Sequence, residues 1–90
     1  MKTTEIQFSQ AMQVGTLEEA FPSWSFNVIE SSGDYSHIHI KPKEKKVTGV
    51  LEIDLDDNSV KLKLADNRKT DWSSKAYEEL EEFVKSAVSP

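Results

Sequence analysis

From position 24 to position 65 apolar and polar residues alternate with a period of two, a rhythm that restricts this stretch to a half-buried β-sheet. Successive strand side chains leave opposite faces, so alternation gives each strand one dry side and one wet side. Turn-forming residues divide the stretch into four strands, at 24–30, 35–41, 47–55 and 60–65.

The strand registers can be checked against one another, because a slip of one residue turns an entire apolar set to solvent. A three-residue loop at Ser31-Ser32-Gly33, with Gly33 left-handed, sets Phe26 opposite Ile38 and Trp24 opposite Ile40. A four-residue loop from Pro42 to Lys45 sets Ile40 opposite Val47, Ile38 opposite Gly49 and Ser36 opposite Leu51. A two-residue turn at Asp57-Asn58 sets Leu55 opposite Val60, Ile53 opposite Leu62 and Leu51 opposite Leu64. The last register also places Asp54 opposite Lys61 and Glu52 opposite Lys63, two attractive cross-strand pairs. All three loops gather one apolar set on one face: Trp24, Phe26, Val28, Ile38, Ile40, Val47, Leu51, Ile53, Leu55, Val60, Leu62 and Leu64.

Beyond position 70 the period becomes helical, with Trp72, Ala76, Leu80, Phe83, Val84 and Ala87 on one stripe and Tyr77 and Val88 flanking it. Asp71 or Ser73 can cap the start of this helix. Near the other end, Thr16 with Glu19 forms a capping box for a short helix over 17–21 that Pro22 halts. Ile6 and Phe8 alternate like a strand, but Ile6, Val14, Leu17 and Phe21 also fit a helical stripe, and helix is the favoured assignment. The expected fold is thus α+β, a single domain over 1–90 whose least defined part is 1–15. It has two layers: a four-stranded antiparallel meander in the order 1-2-3-4, an N-terminal helical segment, and a C-terminal amphipathic helix packed on the apolar face.

Ninety residues accommodate one modest core and exclude a two-domain enzyme with a cleft between its domains. The chain has no cysteine, which removes thiolate metal sites and thiol nucleophiles and points to a reducing compartment. No apolar run of signal-peptide or membrane-span length occurs, so a cytoplasmic location without membrane association is expected. Sixteen acidic and eleven basic residues give a net charge of −5, which opposes general binding to a phosphate backbone.

The charge is unevenly spread, however. Lys41, Lys43, Lys45 and Lys46 crowd one loop, while Glu78, Glu79, Glu81 and Glu82 line the last helix. Lysines beside the aromatic side chain of Tyr35 and the imidazoles of His37 and His39 suit a single-stranded nucleic acid, and an acidic helix can mimic one. A solvated hairpin tip and a solvated helix face explain the same residues more simply.

His37 and His39 stand two apart on one strand and leave the same face, about 6.5–7 Å apart along it. A shared metal needs further ligands. The expected register puts Asn27 and Val50 beside His37, and Ser25 and Thr48 beside His39, leaving Glu52, diagonal to His37, as the only carboxylate in reach. Two surface histidines and no metal or cofactor are therefore expected. The acidic segment 54–59 lacks the glycine and terminal glutamate of a helix-loop-helix calcium site and reads as a turn. No nucleophile elbow, phosphate-binding glycine loop or dinucleotide fingerprint is present.

Ile29, Tyr35 and Val50 are expected to form a small apolar patch on the face away from the last helix, with His37 and His39 beside it. Such a patch needs cover from the N-terminal segment, a second copy or another protein. The functional expectation is a non-enzymatic domain that binds another macromolecule, foremost a protein, in a regulatory or adaptor role. The alternative is nucleic-acid contact through the 41–46 loop or mimicry by the acidic helix.

Overall fold

The period-two segment forms strands β2 (Trp24–Ser32), β3 (Tyr35–Pro42), β4 (Leu51–Leu55) and β5 (Ser59–Leu64), seen in a computed structural model that describes residues 2–7 and 13–88. A strand β1 (Lys2–Gln7) and helix α1 (Val14–Ala20) precede them, and a 3-10 turn (Asp66–Arg68) and helix α2 (Asp71–Val88) follow. The protein is α+β, with one five-stranded antiparallel sheet in the order β1-β5-β4-β3-β2. The meander order of β2 to β5 is as expected; the fifth strand, β1, is not. Phe8 and the side chain of Val88 lie outside the described residues.

The N-terminal segment corrects the helical assignment. Lys2–Gln7 pairs antiparallel with β5, from Lys2 opposite Leu64 to Gln7 opposite Ser59, and so covers an edge that a four-stranded sheet would leave open. Alternation wins over the helical stripe because it turns Lys2, Thr4 and Ile6 to one face, towards α2 and the core. Ile6 is buried, Thr4 hydrogen-bonds the Tyr77 hydroxyl and donates to Glu81 at 2.8 Å, and the Lys2 ammonium lies 4.7 Å above the Tyr77 ring. Helix α1 also starts earlier than its expected capping box: Gln13 is its N-cap, without a side-chain hydrogen bond, and Thr16 falls inside the first turn. Leu17 is its buried anchor.

Two of the three expected registers shift by an even number of residues, by two over 24–28 of β2 and by four between β3 and β4. Strands β2 and β3 join through a two-residue turn at Gly33-Asp34, with Gly33 at φ +61°. One extra residue at the Val28/Glu30 bulge then sets Phe26 opposite Ile40 and Val28 opposite Ile38. Strands β3 and β4 pair as Ile40 with Leu51, Ile38 with Ile53 and Ser36 with Leu55, because residues 47–50 stay outside the ladder.

Gly49 explains that exclusion. Its φ of +151° is a conformation that side chains rarely adopt, and a Cβ there would lie 2.6 Å from Thr70 Oγ1 and 2.9 Å from the Trp72 ring. The Thr70 hydroxyl donates to the Thr48 carbonyl at 2.8 Å and accepts the Ser73 N–H at 3.1 Å, while the Thr70 N–H donates to Ser73 Oγ at 2.7 Å. Thr70 and Ser73 therefore form a reciprocal cap on α2, in place of Asp71 or Ser73 alone, and hold the β3–β4 connection against the helix start. The Asp57-Asn58 turn keeps its expected register, Leu55 opposite Val60 and Ile53 opposite Leu62, closed by the Asp56 N–H on the Ser59 carbonyl.

Even shifts leave each strand's inner face unchanged. Ile38, Ile40, Leu51, Ile53, Val60 and Leu62 have no exposed surface, and they form one core cluster with Trp24, Leu55, Leu64, Leu17, Ile6 and the α2 residues Ala76, Tyr77, Leu80 and Val84. Each large aliphatic side chain removed from water in this way contributes about 1.5–3 kcal/mol. Phe21 stacks on Trp24 at a centroid distance of 4.0 Å, with Phe83 and Trp72 edge-on to that pair, and the aromatic group closes one end of the core. Two expected core residues are exposed instead: Val28 at 47%, beside the bulge, and Val47 at 37%, in the connection that leaves the sheet. Ala87 is also exposed, off the buried stripe of α2.

Candidate functional site

The outer face of the sheet is polar where its inner face is aliphatic, since the residues between the buried positions of β3, β4 and β5 are Tyr35, His37, His39, Glu52, Asp54, Lys61 and Lys63. The observed register determines which of them meet. His37 lies between Glu30 of β2 and Asp54 of β4, and His39 between Asn27 and Glu52. The four-residue shift thus replaces the expected neighbours Val50 and Thr48 by two carboxylates.

The contacts are close. His37 Nδ1 is 2.6 Å from Asp54 Oδ1, His39 Nε2 is 3.0 Å from Glu52 Oε1, and His37 Nε2 is 3.5 Å from the same Glu52 oxygen. The two Nε2 atoms are 3.2 Å apart, and the rings meet nearly edge-to-face with centroids 5.0 Å apart. Both histidine side chains are 20% exposed, which leaves the group open to solutes while its walls remain packed.

Asp54 anchors this arrangement. Its carboxylate accepts the Tyr35 hydroxyl at 2.9 Å, contacts His37, and forms an ion pair with Lys63. Burial works to raise the Asp54 pKa, but the hydrogen bonds from Lys63, His37 and Tyr35 outweigh it and hold the carboxyl below its usual range. The same carboxylate raises the pKa of Lys63 through their hydrogen bond, and that of Tyr35 likewise. With Asp54 ionised, the proton between it and His37 resides on Nδ1, and His37 Nε2 faces His39 and Glu52. The ion pair of Lys63 is diagonal, to Asp54, although Glu52 is its register partner.

Other expected site residues are dispersed. Ile29 falls at the bulge and is 52% exposed, and Tyr35 is 36% exposed at the hairpin end. Val50 is half-buried ahead of β4 and does not stand beside His37. Lys41 is opposite Ser25 on the outer face, whereas Lys43, Lys45 and Lys46 belong to the exposed connection between β3 and β4. Of the four helix glutamates, Glu78, Glu79 and Glu82 are exposed, but Glu81 is half-buried and accepts from Thr4. The acidic run of 54–59 is occupied by its turn, with the Asn58 N–H on Asp56 Oδ1 at 3.4 Å.

Sequence reasoning missed Asp54 as a partner of His37 and placed Glu52 opposite Tyr35, four residues along β3 from its observed partner His39. The available signal was Gly49: a glycine in the middle of a predicted strand marks a break, and starting β4 after it brings both carboxylates beside the histidines.

No protein-family model, curated protein or solved structure matches this chain. No helix among the described residues is long and apolar enough to cross a membrane.

Proposed function

We propose that this chain is a small binding domain of the cytoplasm, acting through recognition of another protein and not through catalysis. The observation that supports this reading is the outer half of β2. That strand stands at the edge of the sheet, residues 28–32 are exposed throughout, and Val28 and Ile29 keep about half their surface in water. An edge strand offers main-chain donors and acceptors along its free side, and the two aliphatic side chains add apolar area where a partner would gain most by covering it. Tyr35 extends the spot across the hairpin end, opposite Ser32.

A protein surface fits this chemistry better than a nucleic acid does. The lysines at 41, 43, 45 and 46 can neutralise only a few phosphates against a net charge of −5. Mimicry of nucleic acid by α2 loses one of its four carboxylates to the contact between Glu81 and Thr4.

The experiment compares the parent chain with a Val28→Glu/Ile29→Glu variant as baits in a host extract, with light scattering of both at the same concentrations. Proteins held by the parent and released by the variant, or a dimer dissolved by the variant, are expected. Identical captured sets and a monomer in both cases overturn the reading, and retention of the parent on heparin that the variant does not alter points to the lysine loop instead.

A further inference from the structure

We propose that His37 Nε2, His39 Nε2 and Glu52 Oε1 form a binding site for a zinc-class divalent metal ion on the outer face of the sheet. The three atoms make a triangle with edges of 3.0, 3.2 and 3.5 Å. Ligand atoms around a tetrahedral ion at ~2.0–2.1 Å lie about 3.3–3.4 Å from one another, so these donors already stand near the spacing that zinc imposes. Among the described residues, they are the one group of three potential ligands brought so close together.

The surroundings support the assignment independently of that triangle. A metal-binding imidazole generally donates its other N–H to a carboxylate, which fixes the tautomer and aims the ligating nitrogen. Asp54 accepts at His37 Nδ1 from 2.6 Å and is itself fixed by Lys63 and by Tyr35. The shell that orients His37 is therefore assembled before any ion arrives, on three neighbouring strands, β3, β4 and β5. Two imidazoles and one carboxylate suit zinc and its transition-metal neighbours over calcium or magnesium, which prefer all-oxygen sites. Two imidazole nitrogens 3.2 Å apart cannot both point a proton at the other, and an ion shared between them relieves that constraint. Three protein ligands leave one position of a tetrahedron to solvent, on the exposed side of the sheet.

The site does not depend on the partner-binding reading, since it needs no second protein. It is tested by calorimetric titration of the tag-free chain with Zn2+, beside His39→Gln, Glu52→Gln and Asp54→Asn variants whose folding is checked by circular dichroism. One ion per chain is expected, with affinity falling at least about tenfold in the ligand variants and about 10–100-fold in Asp54→Asn. Loading with Co2+ is expected to give the intense visible bands of a tetrahedral site, lost in His39→Gln. Absence of saturable Zn2+ binding, binding that the variants leave unchanged, or only the weak bands of six-coordinate cobalt overturns the assignment.

Discussion

Ile38 and Ile53 face each other across β3 and β4 on one side of the sheet, and His37 and Asp54 do so one residue away on the other. The two pairs share strands, ladder and register, yet they rely on different physics. The inner pair has no exposed surface and is held by the amount of apolar area removed from water. The outer pair is held by particular donors and acceptors at particular distances. An aliphatic neighbour can be exchanged for another of similar volume at modest cost, whereas a histidine facing Val50 in place of Asp54 loses the carboxylate that orients its ring.

The largest expected effect lies on the inner face. Ile53→Ala empties a fully buried position between Ile38 and Leu62 and is expected to cost about 2–5 kcal/mol in urea denaturation. If the two faces are as separable as their physics implies, this variant, still folded at low denaturant, retains the contact between His37 and Asp54, visible as unchanged imidazole resonances by NMR.

Gly49→Ala probes what links the faces. The added Cβ meets Thr70 and Trp72 at a φ of +151°, and a loss of about 2 kcal/mol is expected from backbone strain alone. Hydrogen exchange at the start of α2 should quicken, because Thr70 caps the helix and holds the connection at once.

A smaller effect concerns Tyr77, whose pKa is raised by burial; the hydrogen bond with Thr4 lowers it in part and Glu81 raises it further. A group whose folded pKa exceeds its unfolded value contributes stability below the unfolded pKa, ~10 for tyrosine, and loses it as pH rises through the folded value. Thermal stability should therefore fall above about pH 10, and Tyr77→Phe should flatten that fall. Lys63, also raised, adds to the parent's slope in the same direction. The smallest change is expected for His39→Gln on the outer face, within about 0.5 kcal/mol by urea denaturation in metal-free buffer. A larger loss would show that the outer network supports the fold and would break the separation between the faces.

The same comparison explains how much of the molecule was legible in its sequence. Parity along a strand decides which face a residue takes, and parity survives any even slip, so Ile38, Ile40, Leu51, Ile53, Leu55, Val60, Leu62 and Leu64 were assigned inward correctly although two registers were off by two and by four. Neighbours across strands do not survive a slip. The encounter of His39 with Glu52, and of His37 with Asp54, depended on the length of the connection after Pro42, which Gly49 and Thr70 set through contacts far apart in sequence. β1 was ambiguous for a related reason: Ile6 belongs both to an alternation with Phe8 and to a helical stripe with Val14, Leu17 and Phe21, and pairing with the free edge of β5 decides for the strand.

The tie between β1 and α2 also constrains the order in which the molecule is completed. Thr4 and Glu81 are 77 positions apart and hydrogen-bonded, whereas the meander from β2 to β5 is closed by short connections. Local pairings form early and distant ones late. Of the five strands, β1 is then the last to find its place. Until β1 docks, the edge of β5 that it will occupy is open to any extended chain that reaches it.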